Sequence, residues 1–251
     1  MKQSYRRRTQ IQICIGLLAA CSLLPHAGWC AQKVNYLHIL QAHNVLGPVE
    51  LLASTGTSVL FLKKLDCSIY FDAKNQTVLV VSPVKKLYFR TYLDKFEYGL
   101  TNTLDTITDL ELGAKFWKLK GKSSLCGMIV IDYIYSSTVG SYERGNAYLP
   151  GKKGETSVKC IMSTLQSPMA TKGFCDLLRK MEHCPDVGGV PVRMEQSYAH
   201  GPMRKTLSTV KISVEQLPEK LPPTLSGFKK ANKSSDIFFG HLNLLDDIMD
   251  K

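Results

Sequence analysis

Residues 57–92 read TSVLFLKKLDCSIYFDAKNQTVLVVSPVKKLYFRTY, and this stretch decides the fold. Within it, residues 59–62, 67–71, 78–81 and 87–92 are short runs rich in β-branched and aromatic side chains, with the alternation of strands. Turn chemistry separates them at 63–66, at 72–75 and at Ser82-Pro83, which predicts an antiparallel meander. A four-residue hairpin loop at 72–75 sets Phe71 against Gln76, Ile69 against Val78 and Cys67 against Val80, all on one face.

Upstream, residues 34–45 place Leu37, Ile39, Leu40 and Val45 in a pattern read as a short helix, stopped by Gly47-Pro48. Farther back, Lys2, Arg6, Arg7 and Arg8 precede an almost wholly apolar run from Ile11 to Leu24, the two regions of an export leader. That run is shorter than the roughly 18 residues a permanent membrane helix requires. Residues 1–30 are therefore expected to be a signal peptide, and 31–251 a single β-rich domain with a short C-terminal helix. Losing the leader's four positive charges takes the net charge from +11 to +7, so much of the basic balance belongs to targeting. The remaining lysines are scattered, with small clusters such as Lys63-Lys64 and Lys85-Lys86 suited to turns and strand edges. They do not form the stripe that nucleic acid would require, and no nucleic-acid partner is expected.

Two processing routes stay open. Leu18-Ala19-Ala20-Cys21 matches a bacterial lipobox, in which Cys21 is acylated and anchors the chain to a membrane surface. The other route is ordinary cleavage after Gly28-Trp29-Cys30. Acylation at Cys21 leaves six further cysteines downstream, an even number suited to an oxidising compartment, whereas cleavage after Cys30 leaves five.

The second half repeats the strand pattern at 115–120, 128–135, 142–149 and 158–162. Ser167-Pro168 is then expected to start a helix running to Met181, with serine as N-cap and proline in the first helical position. Strands follow at 190–194 and 207–214, with Val210, Ile212 and Val214 inward, and 217–228 finishes the sheet. Ser235-Asp236 can cap a last amphipathic helix to Met249, while 101–112 reads equally as helix or loop.

The search for chemistry finds little. Cys175 and Cys184 lie nine residues apart, and a bridge closing that loop would contribute roughly 2–3 kcal/mol. Cys126 with Cys160 is a second, looser candidate disulfide. No Cys-x-x-Cys pair exists, and His38 and His43 diverge on a helix, so no metal is expected. There is no Gly-rich phosphate loop and no Gly-x-Ser-x-Gly elbow, and Asp105, Asp109 and Glu111 read as a solvated edge. A non-enzymatic protein without a cofactor is the expectation.

The order of elements, the stretch from Thr57 to Phe96, and the segments Gly189-Val190-Pro191-Val192-Arg193-Met194-Glu195, Thr209-Val210-Lys211-Ile212, Leu221-Pro222-Pro223-Thr224-Leu225 and Gly227-Phe228-Lys229-Lys230 resemble the periplasmic lipoprotein-carrier superfamily, the LolA/LolB-like fold, and its secreted relatives. The resemblance implies an α+β, mainly antiparallel β architecture: a curved sheet or unclosed half-barrel packed on a few helices. It also implies a concave apolar face that accepts acyl chains, each buried CH₂ contributing roughly 0.8 kcal/mol. In carriers an arginine stands inside that cavity, and Arg90 and Arg193 are the strand arginines here. Ile69, Phe71, Val78 and Val80 are the candidate ligand-binding residues. The expected function is a bacterial envelope protein, periplasmic or an outer-membrane lipoprotein of a Gram-negative type, that binds a lipid, a lipidated protein or another hydrophobic ligand. The alternative is a structural or interaction protein with a self-filled core.

Overall fold

A computed structural model describes residues 32–98, 117–139, 156–182, 184–198 and 202–239. Among these, alternating apolar residues build an unclosed sheet with the strand order β12-β6-β5-β4-β3-β2-β1-β11-β10-β9-β8-β7. The strands are β1 (Lys33–His43), β2 (Gly47–Ala53), β3 (Thr57–Leu62), β4 (Cys67–Asp72), β5 (Thr77–Ser82), β6 (Leu87–Tyr92), β7 (Lys118–Leu125), β8 (Met128–Val139), β9 (Thr156–Leu165), β10 (Val190–Tyr198), β11 (Arg204–Pro218) and β12 (Lys229–Lys230). Neighbours pair antiparallel, except that β12 runs parallel to β6. Two helices accompany the sheet, α1 (Lys172–Glu182) and α2 (Ser234–Phe239), with single 3-10 turns at Lys63–Leu65 and Leu93–Lys95. The mainly antiparallel, unclosed sheet with few helices is as expected.

The sheet bends. The turn joining β7 to β8 brings Cys126 Sγ within 3.6 Å of the Val210 carbonyl oxygen on β11. In a flat sheet β8 would stand three ladders from β11, roughly 14 Å away at about 4.8 Å per strand. Closing that distance requires the strands to curl towards one another. On the face towards the helices lies the main core, in which Leu37, Ile39, Leu51, Leu60, Ile69, Phe71, Val78 and Val80 meet Phe174, Leu177, Leu178 and Met181 of α1 and Ile237 and Phe238 of α2.

Polar contacts pin α1 in place. Thr171 Oγ1 accepts from the Phe174 backbone N–H at 3.3 Å as N-cap. At the other end Lys180 Nζ donates to the carbonyls of Leu93, Asp94 and Phe96 at 2.8, 3.0 and 3.3 Å, and Glu182 meets His43 Nε2 at 3.1 Å. α2 is held by Lys85 Nζ, which donates to the Ile237 carbonyl at 2.6 Å, and by the Ser234 hydroxyl, which donates to that of Glu97 at 2.6 Å.

Several expectations are corrected. The expected helix at 34–45 is strand β1, a central strand between β2 and β11. Both of its faces carry apolar side chains, Leu37 and Ile39 on one and Val34 and Tyr36 on the other, so the alternation that marks a half-buried strand is blurred. The helix expected from Ser167-Pro168 begins at Lys172: Ser167 instead closes a tight turn, accepting from the Ala170 N–H at 3.2 Å, and Thr171 takes the cap. In the β4–β5 hairpin Phe71 faces Val78 and Ile69 faces Val80, two residues from the expected register. Asp72 Oδ1 accepts the N–H groups of Lys74 and Asn75 at 2.9 and 3.1 Å and Gln76 takes a positive φ of 51°, which moves the loop to 73–76. A shift of two preserves the faces. Of the three β11 residues expected inward only Ile212 is buried; a bulge opposite Leu40 and Gln41 leaves Val210 without a ladder partner and 70% exposed, and Val214 is 54% exposed. Residues 219–228 form no strand, and α2 begins at Ser234. The leader, Cys21, residues 101–112 and 142–149, His200, and the last helix beyond Phe239 lie outside the described residues.

Candidate functional site

The four expected ligand-binding residues stand together on the inner face, Ile69 opposite Val80 and Phe71 opposite Val78. All four are fully buried. What covers them is the chain itself: Phe71 packs on Phe174 of α1 with ring centroids 6.2 Å apart. The approach is close because residue 173 is glycine; a Cβ there would lie 2.6 Å from Phe71 Cζ. Among the described residues the inner face is thus filled where the acyl-chain reading requires a hollow.

Neither of the two arginines expected on strands is free inside. Arg90 is exposed. Arg193 lies across β9 from Asp132, with Ser163 directly opposite both. Its Nη2 donates to Asp132 Oδ1 at 2.9 Å and its Nε to Ser163 Oγ at 2.9 Å, while the Ser163 hydroxyl donates to the same Asp132 oxygen at 2.5 Å. Burial alone would raise the Asp132 carboxyl, but the Ser163 hydrogen bond and the Arg193 charge outweigh it and hold it below the usual carboxylate range.

A ligand-sized recess lies on the opposite, outer face. It is open, has a volume of about 600 Å³, and is bordered by Leu52, Phe61 and Leu217 with His38, Glu50, Glu215, Lys63 and Lys220 at its polar edge. Strand alternation explains the set: Leu52 stands opposite His38 across β1–β2, Phe61 opposite Glu50, and Leu217 opposite Val34. Beneath it Tyr36, Leu52 and Val59 form a second small core. The Tyr36 hydroxyl accepts the Lys220 backbone N–H at 2.8 Å and ties the chain after β11 to the recess.

The imidazole of His38 sits between two carboxylates, Nε2 3.2 Å from Glu50 and Nδ1 3.1 Å from Glu215. The Glu50 carboxylate also meets Lys63 at 3.3 Å, and Glu215 meets Lys211 at 2.9 Å. A hydrogen bond from Ser213, followed by the contacts from Lys211 and His38, lowers the Glu215 carboxyl from 4.5 to about 2. These groups come from β1, β2, the turn after β3 and β11, so no local motif announces them. Their meeting depends on register across separations such as Glu50 to Glu215. Among the described residues no three His, Cys, Asp or Glu side chains converge on a metal-sized site.

The expected disulfides are not formed; Cys126, Cys160, Cys175 and Cys184 are free thiols. The Cys184 N–H reaches the Arg179 carbonyl, which seats Cys184 level with the end of α1, whereas Cys175 lies in its first turns. Cys184 Sγ turns to Met194 and Cys175 Sγ to the Ala170 carbonyl. Cys160 stands opposite Tyr135, seven residues along β8 from Met128 and therefore roughly 23 Å from the turn that carries Cys126, far beyond disulfide reach.

No protein-family model matches the chain, and no curated protein matches it. Among solved structures, the crystal structure of LprF from Mycobacterium bovis matches over 76% of this chain and 89% of its own, at 10% sequence identity and a TM-score of 0.26, a likeness too loose to carry any statement about fold or function.

Proposed function

We propose that this is a non-enzymatic, exported binding protein whose interior is filled by its own helices and whose ligand or partner docks in the outer recess. The carrying observation is the recess itself, a volume of about 600 Å³ with an apolar floor and a charged rim. That size and make-up suit a small amphipathic molecule or the apolar end of a lipidated protein. Export rests on the basic and apolar leader, and membrane anchoring on Cys21. No helix among the described residues is long and apolar enough to cross a membrane.

A second reading keeps the ligand on the inner face, with α1 as a plug that moves aside. It draws on the single amphipathic face that α1 buries through Phe174, Leu177, Leu178 and Met181.

A fluorescent fatty acid separates the two. The outer-recess reading expects Leu217→Glu to abolish retention of the probe and Phe174→Ala to leave it unchanged. The plug reading expects the reverse sensitivity, with Phe174→Ala increasing uptake. No retention by the native chain, together with stable capture of an envelope protein that Leu217→Glu abolishes, assigns the recess to a protein partner; capture indifferent to Leu217→Glu refutes the site. Intact mass of the mature protein reads the cleavage position and any Cys21 acylation directly.

A further inference from the structure

The charges around the outer recess do not all pair among themselves. Three carboxylates border it, Glu50, Asp66 and Glu215, together with the ammonium groups of Lys63 and Lys220. Lys211 reaches Glu215 from outside at 2.9 Å, so, His38 aside, three negative charges are matched by three positive ones. Glu50 is engaged on both oxygens, Oε1 by His38 at 3.2 Å and Oε2 by Lys63 at 3.3 Å. Glu215 is engaged on one: Ser213, Lys211 and His38 all meet Oε1, at 2.7, 2.9 and 3.1 Å, and Oε2 has no partner among the described residues. Lys220 Nζ likewise makes no hydrogen bond or ion pair among the described residues. Both flank Tyr36, which stands directly opposite Glu215 across β1 and β11 and whose hydroxyl accepts the Lys220 backbone N–H at 2.8 Å. One tyrosine thus separates an open carboxylate oxygen from an unpaired ammonium group.

We propose that the recess selects an amphiphile with a zwitterionic head group, whose cationic end meets Glu215 Oε2 and whose anionic end meets Lys220. This rests on the reading of the recess as the binding site and adds the class of head group it takes. Charge decides that class. A head group of a single sign would leave a net charge in a recess from which the ligand has displaced water, and an uncharged one would strip water from Lys220 and Glu215 while replacing neither contact. A zwitterion does neither: each end meets its opposite, through charge-assisted hydrogen bonds, and the balance of charge is unchanged. The apolar floor of Leu52, Phe61 and Leu217, within a volume of about 600 Å³, receives the chain. A fatty acid shares that floor and lacks a partner for Glu215, so it is a weaker ligand of the same site.

The test is equilibrium binding of four probes to the mature chain, each carrying the same fluorescent chain and each kept below its micelle concentration: a lysophosphatidylethanolamine (zwitterionic), a lysophosphatidylglycerol (anionic), an alkyltrimethylammonium (cationic) and a monoacylglycerol (uncharged). The zwitterion should bind about tenfold more tightly than each of the others, the worth of one hydrogen bond to a charged group. Lys220→Met, which keeps the apolar stem and removes the charge, should bring the cationic probe level with the zwitterion. Glu215→Gln should do the same for the anionic probe. Equal affinity for all four, or a native preference for any probe but the zwitterion, overturns the proposal, while retention that Leu217→Glu abolishes keeps the recess as the site. No retention of any probe, or retention indifferent to Leu217→Glu, overturns the proposal together with the lipid reading of the recess. If Glu215→Gln does not fold, Lys220→Met decides, since an unchanged ranking of the probes in that variant also overturns the proposal.

Discussion

Gly173→Ala is the sharpest probe of how the inner face is closed. On helix propensity alone the change should stabilise α1, by at most about 1 kcal/mol and by less this near the N-terminus. Packing opposes it. The new Cβ would lie 2.6 Å from Phe71 Cζ and clash with the Gln76 side-chain amide. Gln76 is exposed and can swing away, at the loss of the 2.7 Å hydrogen bond its Nε2 donates to the Ala73 carbonyl. Phe71 cannot, because it is fully buried and its ring already packs against Phe174. Overfilling of this kind costs about 1–3 kcal/mol, so the net expectation is a loss of about 1–2 kcal/mol. For a chain of this size that lowers Tm by roughly 2–8 °C. Urea denaturation followed by far-ultraviolet circular dichroism measures it. Trimming the obstacle with Phe71→Leu should recover at least about 0.5 kcal/mol of the alanine penalty in a double-mutant cycle. A higher urea midpoint for Gly173→Ala, with no coupling to Phe71, would refute the claim that α1 seals the sheet at this point.

Two further perturbations address the buried network and the charges. Arg193→Ala leaves the Asp132 carboxylate buried with serine hydroxyls but no cation and should cost about 3 kcal/mol, near the low end for a broken buried pair since the arginine side chain is 28% exposed; removing both partners should cost less than removing one, and a single-variant loss under about 0.5 kcal/mol in urea denaturation would show the pair to be unimportant. Acid unfolding should draw on Glu215, whose carboxyl is lowered from 4.5 to about 2, and on Asp132 and Asp72, also lowered. Because these groups are depressed in the folded state, their stabilisation is complete above about pH 4.5 and is lost as the pH falls towards 2. Glu215→Gln should flatten that part of a stability–pH curve, and an unchanged acid limb would rule Glu215 out. At the alkaline end the sign reverses: burial raises Cys67 from 9.0 to about 12 and Cys160 to about 11. Their contribution is therefore intact below pH 9 and declines as the pH climbs towards 11–12, so Cys67→Ala should soften that decline.

The strands from β3 to β6 are legible in residues 57–92 because a strand's alternation is a local property, and a turn's chemistry sits within a few residues of it. Even the misplaced loop of the β4–β5 hairpin keeps Ile69, Phe71, Val78 and Val80 on one face, since the side-chain period is two and the register moved by two. β1 escaped that logic because a central strand buries both faces, so apolar residues on both of them, Val34 and Tyr36 against Leu37 and Ile39, break the simple alternation and can also be read as a helix. The start of α1 was legible only in type: Ser167 and Thr171 both offer a capping hydroxyl, and the turn between them settles which one is used.

What only the tertiary structure decided is what covers the inner face of the unclosed sheet and which face stays open. That α1 lies on Phe71 depends on a glycine meeting a ring about a hundred residues earlier in the chain. The Asp132–Ser163–Arg193 network and the setting of His38 between Glu50 and Glu215 are pairings across strands distant in sequence. Cysteine spacing suggested bridges that the level of Cys184 against α1, and the length of β8, place out of reach. Alternation records which residues avoid water, whereas the neighbour that shields them, whether a helix of the same chain or a ligand, is chosen by long-range closure that leaves no periodic trace.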